Sequence, residues 1–294
     1  MLAGRLRGYG VYIVPTFAIL GAITVIPLIV TFVVSLFVID PTSGLSPTWQ
    51  GFNDYVSLFS DSRFINSIVV TAELIVVPVT LQLLFGLALA ICLREKLLGT
   101  RWMRLLFLLP AVIPPAVSGL VWKLFVIPGA GGLAWLSNLL GRNLDLDLLS
   151  MPKTALATVI AASTWVGTPF VALILLSGIE TISRDQFESA AIDGATWWQM
   201  HRHISIPVLS PIIRTVVVFR ILEALAIFPI IFVLTGGGPA GGTEPVNYYA
   251  YISGFDYLQI DYAASMIILF FLVMMAMCAP FLVQIARSNE GVAR

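Results

Sequence analysis

Six apolar runs alternate with short polar connections along the chain, at 9–39, 64–93, 105–127, 154–179, 207–235 and 262–285. Each reaches the roughly 20 helical residues that a hydrocarbon core of about 30 Å demands. The pattern predicts an all-α integral membrane protein with six transmembrane helices. The first run is too long for the apolar part of a signal peptide, which spans roughly 7 to 15 residues, and is read as a span. One connection differs from the rest: 183–206 holds acids, both histidines and a glycine. Residues 186–195 are rich in helix formers, Gly194 suits the positive φ that ends a helix, and Thr196 is a natural cap for a second short helix reaching Pro207. The expected result is a helical hairpin. Its Glu188, Asp193, Arg202 and histidines cannot face hydrocarbon, so it projects into water or into a partner's groove.

Composition agrees with the pattern: 59% of residues are apolar and 11% charged, with a mean hydropathy of +0.96. Soluble domains carry about a quarter charged residues. The net charge of zero is uninformative, but its sidedness is not. Arg5, Arg7, Arg94, Lys96, Arg101, Arg104, Arg184, Arg202, Arg287 and Arg294 lie on one side, against Arg63, Arg142 and Lys153 on the other, ten to three. Both termini and the hairpin are therefore expected in the cytoplasm, with the loops after Asp40, Pro128 and Gly236 outside. Cys92 and Cys278 fall near cytoplasmic helix ends, where thiols stay reduced and serve packing. Residues 1–294 read as a single transmembrane domain without repeats or low-complexity tracts.

The hairpin carries Glu188, Ser189, Ala190, Ile192, Asp193, Gly194 and Ala195, then Ile204, Ser205, Ile206 and Pro207. This order resembles the cytoplasmic "EAA" loop of bacterial ABC importer permeases, with Ser189 in place of the first Ala and Ile206 in place of a Leu. Val233 to Pro239, followed by Thr243 and Glu244, is similar to the "LTGGGP" stretch of carbohydrate-importer permeases. So are Leu108, Leu109, Pro110, Pro114 and Trp122, and Tyr251, Phe255, Tyr262, Ala263 and Ala264. The motifs cover most of the chain from Leu105 onward. The resemblance implies the type I permease fold and a coupling role for Glu188, Ser189, Ala190, Asp193, Gly194, Ala195 and Pro207. It also implies a second permease, two ATP-binding subunits that hold ATP and Mg, and an extracytoplasmic solute-binding (lipo)protein. The substrate would be a sugar or related polyol, with glycerol phosphate a neighbouring alternative. The setting is the cytoplasmic (inner) membrane, with membrane lipid around the chain and no nucleic-acid partner.

Physical chemistry assigns parts to these residues. Glu188 suits a charge-assisted bond from a basic group of the ATPase, and Trp197, Trp198 and Met200 suit apolar anchoring. The plainer alternative, an amphipathic helix lying on lipid, is disfavoured because its two arginines are matched by acid. His201 and His203 would point about 200° apart on a helix and cannot share a metal, so they are expected solvated or facing the ATPase, with no metal site. No nucleophile lies beside a paired base, so enzyme chemistry is not expected. The glycine run lacks the lysine of a phosphate loop and should form a flexible exit with a fixed turn. Within the spans, Arg220 and Glu223 share a face of the fifth run and are spaced to pair. They lock two helices or line the pathway. Glu73 has no local partner and faces the pathway or a companion helix. Trp165, Thr168, Phe170, Asn247, Tyr248 and Tyr251 supply the rings, amides and hydroxyls that bind sugars. Pro110, Pro114, Pro115, Pro169 and Pro229 favour kinks lining a cavity. A secondary transporter driven by an ion gradient and a transport-free scaffold are the competing classes.

Overall fold

The computed structural model describes residues 2–39, 47–94, 107–142 and 146–292, and side chains within these except at 2–13, 278 and 280–292. Asp40, Lys96, Arg101, Arg104, Leu105 and Arg294 lie outside that range, as do the side chains of Arg5, Arg7, Cys278 and Arg287. The described chain is almost wholly helical. Its helices are α1 (Leu2–Val34), α2 (Asn53–Leu58), α3 (Ser62–Arg94), α4 (107–112), α5 (Pro115–Phe125), α6 (Gly132–Leu139), α7 (Pro152–Glu180), α8 (Arg184–Ile192), α9 (Trp197–Met200), α10 (Ile206–Ala224), α11 (Phe228–Leu234), α12 (Val246–Tyr251) and α13 (Ile260–Val292). π-Helical turns occupy His201–Ser205 and Ile252–Asp256. The sole sheet among described residues is a two-residue antiparallel pair, β1 (Phe37–Val38) with β2 (Thr48–Trp49).

Five stretches among the described residues are long and apolar enough to cross a membrane: Val14–Val34, Ser62–Arg94, Pro152–Glu180, Trp197–Ala224 and Ile260–Met277. Two of the predicted spans contain a break in the helix. The described part of 105–127 divides into α4 and α5 at Pro114, whose extended backbone (φ −56°, ψ 142°) cannot continue a helix. The run 207–235 divides into α10 and α11, with Pro229 in the first turn of α11. The break exposes the Leu225 carbonyl, and Asn247 Nδ2 donates to it at 2.9 Å. Pro169, by contrast, lies inside α7 without ending it.

Contacts gather the chain into two compact units, 1–65 with 249–275 and 66–248 with 276–294. In the first, Asp61 ties the α2–α3 turn to α12 and α13. Its Oδ2 accepts from the hydroxyls of Tyr249 and Tyr262, both at 2.7 Å. Its Oδ1 accepts from the Arg63 N–H at 2.8 Å, and the Arg63 guanidinium lies 4.6 Å from the Tyr249 ring centroid. Burial alone would push the Asp61 carboxyl up. The tyrosine hydroxyls and the N–H groups of Arg63 and Phe64 outweigh it and hold the carboxyl below its ordinary value. Asp54 moves the other way, raised by burial and by nearby Asp261 against a hydrogen bond from Gln50.

The second unit is built on α3, α7 and α10, which enclose Ala90, Ile91, Leu93, Val171, Leu175, Leu176, Ile179, Leu209 and Val216. α11 packs on α5, where Lys123 Nζ donates to the Val233 carbonyl at 3.2 Å. Hydrogen bonds hold the turn of the glycine run. The buried Thr243 hydroxyl donates to the Gly238 carbonyl at 2.7 Å and lies 2.8 Å from Thr235 Oγ1, and Glu244 is buried beside it.

Candidate functional site

The polar stretch 183–206 forms the hairpin that its sequence implies. α8 closes with Gly194 at φ +79°, a conformation that costs glycine nothing and other residues about 1–2 kcal/mol. Gly194 N–H bonds Ala191 O at 3.1 Å and Ala195 N–H bonds Ala190 O at 2.9 Å, the paired closure of a Schellman motif. The chain then re-enters a helix at Thr196. The Thr196 N–H donates to Gln199 Oε1 at 2.8 Å, and the Gln199 N–H donates back to Thr196 Oγ1 at 3.4 Å, a capping box. Glu188, Ser189, Asp193 and Gly194 are exposed, Ala190 and Ala195 half-buried. Ile192 is 87% exposed, and Trp197 and Trp198 are also exposed.

The second helix does not stop before Pro207. It passes through the π-helical turn, in which the Ile206 N–H reaches His201 O, and continues as α10. Proline has no N–H to give, and the wider turn absorbs its ring without a break. His201 is not solvated, the first of the two positions expected of it, while the second, facing the ATPase, stays open. It is buried, its Nδ1 2.9 Å from Ser205 Oγ, with the Trp197 ring edge-on at 4.5 Å and the Phe187 ring at 6.0 Å. His203 is exposed, as expected, with Nδ1 3.0 Å from the Gln199 carbonyl.

A third element grips the hairpin. Arg94, the last residue of α3, stacks over Phe187 of α8 at 4.0 Å from the ring centroid and donates to the Ile182 carbonyl at 3.4 Å. Arg94, Glu180, Arg184, Glu188, Trp197 and His201 line an open pocket of about 810 Å³. Glu188 is exposed on α8, and no hydrogen bond from it to another described residue is seen.

Deeper in the spans, Arg220 and Glu223 are paired. Sequence reasoning missed their anchor. Arg220 Nε donates to Gln82 Oε1 at 2.8 Å, and Gln82 Nε2 donates to the Ser163 carbonyl at 2.9 Å. One buried glutamine therefore joins α3, α7 and α10. Gly167 leaves the space: a Cβ there would lie 2.3 Å from Arg220 Nη2 and 2.4 Å from Gln82 Nε2. A lone amide in an apolar helix was the available signal.

Within the second unit the predicted path residues fall in more than one place. Phe170, Arg220 and Glu223 line a cavity of about 310 Å³ with Ser163. Trp165 and Thr168 line a separate, mostly apolar cleft of about 920 Å³ with Trp122, Thr164 and Pro169. Asn247 bonds the α10–α11 break, and Tyr248 is packed against Phe228 and Phe232 at 5.5 and 6.4 Å. Tyr251 lies against Phe255 at 5.2 Å. Glu73 sits exposed on α3.

Long apolar helices joined, among the described residues, by a braced polar hairpin mark a multi-pass membrane protein. The chain belongs to the family described as binding-protein-dependent transport system inner membrane components, whose model matches residues 82–288. The trehalose/maltose transport system permease protein MalF of Thermococcus litoralis is 32% identical over 239 residues, covering 81% of this chain and 80% of that one. The sulfoquinovosyl glycerol transport system permease protein SmoG of Agrobacterium fabrum is 30% identical over 277 residues, covering 94% and 89%. A chain from the crystal structure of a bacterial ABC transporter involved in alginate import superposes with a TM-score of 0.80 at 22% identity, covering 97% and 98%. The fold is thus that of an ABC importer permease. Family membership does not favour the ion-gradient alternative.

Proposed function

We propose that this chain is a permease subunit of an ATP-driven importer that carries a sugar or related polyol across the inner membrane by alternating access. Six spans, both termini in the cytoplasm and the hairpin on the same face are the topology this reading takes. The assembly comprises a second permease, two ATPase subunits that bind ATP and Mg, and an extracytoplasmic binding protein. Substrate class follows from the relatives, which are designated for trehalose or maltose and for sulfoquinovosyl glycerol.

The observation that carries the reading is the hairpin. It is closed at Gly194, capped at Thr196 and braced by Arg94, yet it leaves Ile192, Trp197 and Trp198 uncovered. Exposed apolar groups on a rigid polar element mark a docking surface. Glu188 supplies the charge that orients the contact. Closure of the ATPase pair would move the hairpin, and α7 and α10 leave it directly toward the cavity beside Arg220 and Glu223.

The test is Glu188→Arg and Gly194→Trp in the assembled transporter. Loss of a contact worth about 2 kcal/mol weakens association about 30-fold. The ATPase should co-purify poorly, or hydrolyse ATP without uptake. Unchanged co-purification and unchanged uptake per ATP in both variants would end the coupling assignment.

A further inference from the structure

Between α1 and α3 lies a short helix whose surroundings divide cleanly by direction. Phe52, Val56 and Phe59 flank and occupy α2 at spacings of four and three, which places them within roughly 60° of arc at 100° per residue. They are 61%, 69% and 67% exposed. Asn53 and Ser57, roughly 100° to 140° round the helix from Phe52, are exposed and polar. The remaining sector faces protein. Leu58 is fully buried, and Tyr55 meets Ser35 through a 2.6 Å hydroxyl–hydroxyl hydrogen bond. One turn of helix thus has an apolar side, a wetted side and a packed side.

α1 brings the chain to this helix. It runs as one helix to Val34, and the sequence carries no charged residue from Gly8 to Ile39, more than the roughly 20 residues that a hydrocarbon core needs. Ser35 follows at once, and the Leu36 carbonyl accepts from the N–H groups of Gln50 and Gly51 at 3.0 and 3.1 Å. These bonds pin the start of α2 to the end of α1, the side on which that span meets the membrane interface. Trp49, exposed beside it with its ring edge against Phe37 at 5.1 Å, adds the residue type enriched at that depth.

We infer that α2 lies in the plane of the membrane interface, with Phe52, Val56 and Phe59 inserted among lipid acyl chains and Asn53 and Ser57 at the headgroups. The partner of this surface is the lipid itself, through a neutral apolar contact. No cationic side chain lies in the inserted sector, so anionic headgroups are not required. The assignment is independent of the transported solute and of the coupling role. Its place in the outer leaflet rests on the topology proposed above. The helix would hold the end of α1 at a fixed depth while the rest of the bundle changes state.

Adjacent nitroxide labels decide the matter in the assembled transporter in phospholipid vesicles. Labels at Val56→Cys and Ser57→Cys, in a Cys92→Ser, Cys278→Ser background, are read by power saturation with oxygen and with a water-soluble nickel chelate. The Val56 label should favour oxygen over nickel several-fold more than the Ser57 label. Equal nickel accessibility at the two positions would place the sector in water and overturn the inference. Shielding of the Val56 label from both reagents would assign the face to a companion permease or the binding protein, and overturn it equally. Should the labelled chains assemble poorly, Phe52→Trp in vesicles of brominated phosphatidylcholine probes the same contact. The added fluorescence should be quenched by bromines in the upper acyl chain, and a lack of quenching would refute lipid contact.

Discussion

Replacing Gln82 with leucine keeps a side chain of similar size while removing both amide bonds that join α3 to α7 and α10. The bond from Arg220 is charge-assisted, a class worth about 1.5–3 kcal/mol. The bond to the Ser163 carbonyl is an interhelical contact at membrane depth, averaging about 0.6 and reaching about 1.7 kcal/mol. Their sum is roughly 2–5 kcal/mol. At about 2–4 °C per kcal/mol for chains of comparable size, Gln82→Leu should lower the melting temperature of the purified transporter by at least about 4 °C. A cycle with Arg220→Met separates this pair from general loss of packing. The two changes should be non-additive by about 1 kcal/mol or more, because they delete the same bond. Gly167→Ala should reproduce the loss by a steric route, since its methyl would overlap both Arg220 and Gln82. Melting within about 1 °C of the parent, or strict additivity in the cycle, would refute the claim that one glutamine binds three helices.

Two further perturbations bear on the clamps. Arg94→Gln removes a cation–π contact of about 0.5–2 kcal/mol from Phe187. It should raise the ATP hydrolysed per solute imported while leaving the ATPase bound, and Arg94→Lys should restore most of the ratio. A parental ratio in Arg94→Gln would remove the brace from the coupling path. At Asp61 the folded-state carboxyl is held below its ordinary value of about 3.8. Its contribution to stability is therefore complete above that value and is lost as pH falls through the lower, folded-state value. Melting followed through acidification should show a component that Asp61→Asn abolishes, and identical pH profiles for the two proteins would contradict the assignment.

Long apolar runs located both ends of α3 and α7, and the starts of α10 and α13, to within two residues, because burial in hydrocarbon admits little but helix. Hydropathy sums over a window, and the prolines expected to kink the third, fourth and fifth runs did not announce which of them would interrupt the helix. Pro114 and Pro229 sit where a helix restarts, Pro169 where one continues, and the three look alike in sequence. The hairpin was legible because its signals are local: Gly194 needs only its own φ, and Thr196 needs only Gln199 three residues on. The grip of Arg94 on Phe187 and the bridge through Gln82 join residues 93 and 138 positions apart, and no local pattern announces such pairs. The burial of His201 was not legible for the same reason, because the rings of Phe187 and Trp197 that cover it meet only once the hairpin has closed.

The π-helical turn at His201–Ser205 has a geometric consequence of its own. Such a turn accommodates one residue beyond the α-helical repeat, so it acts as a phase setting between the hairpin and everything downstream. Excising one residue there would shorten the rod by only about 1.5 Å, yet it would swing the azimuth of Arg220 and Glu223 by about 100° away from α3 and α7.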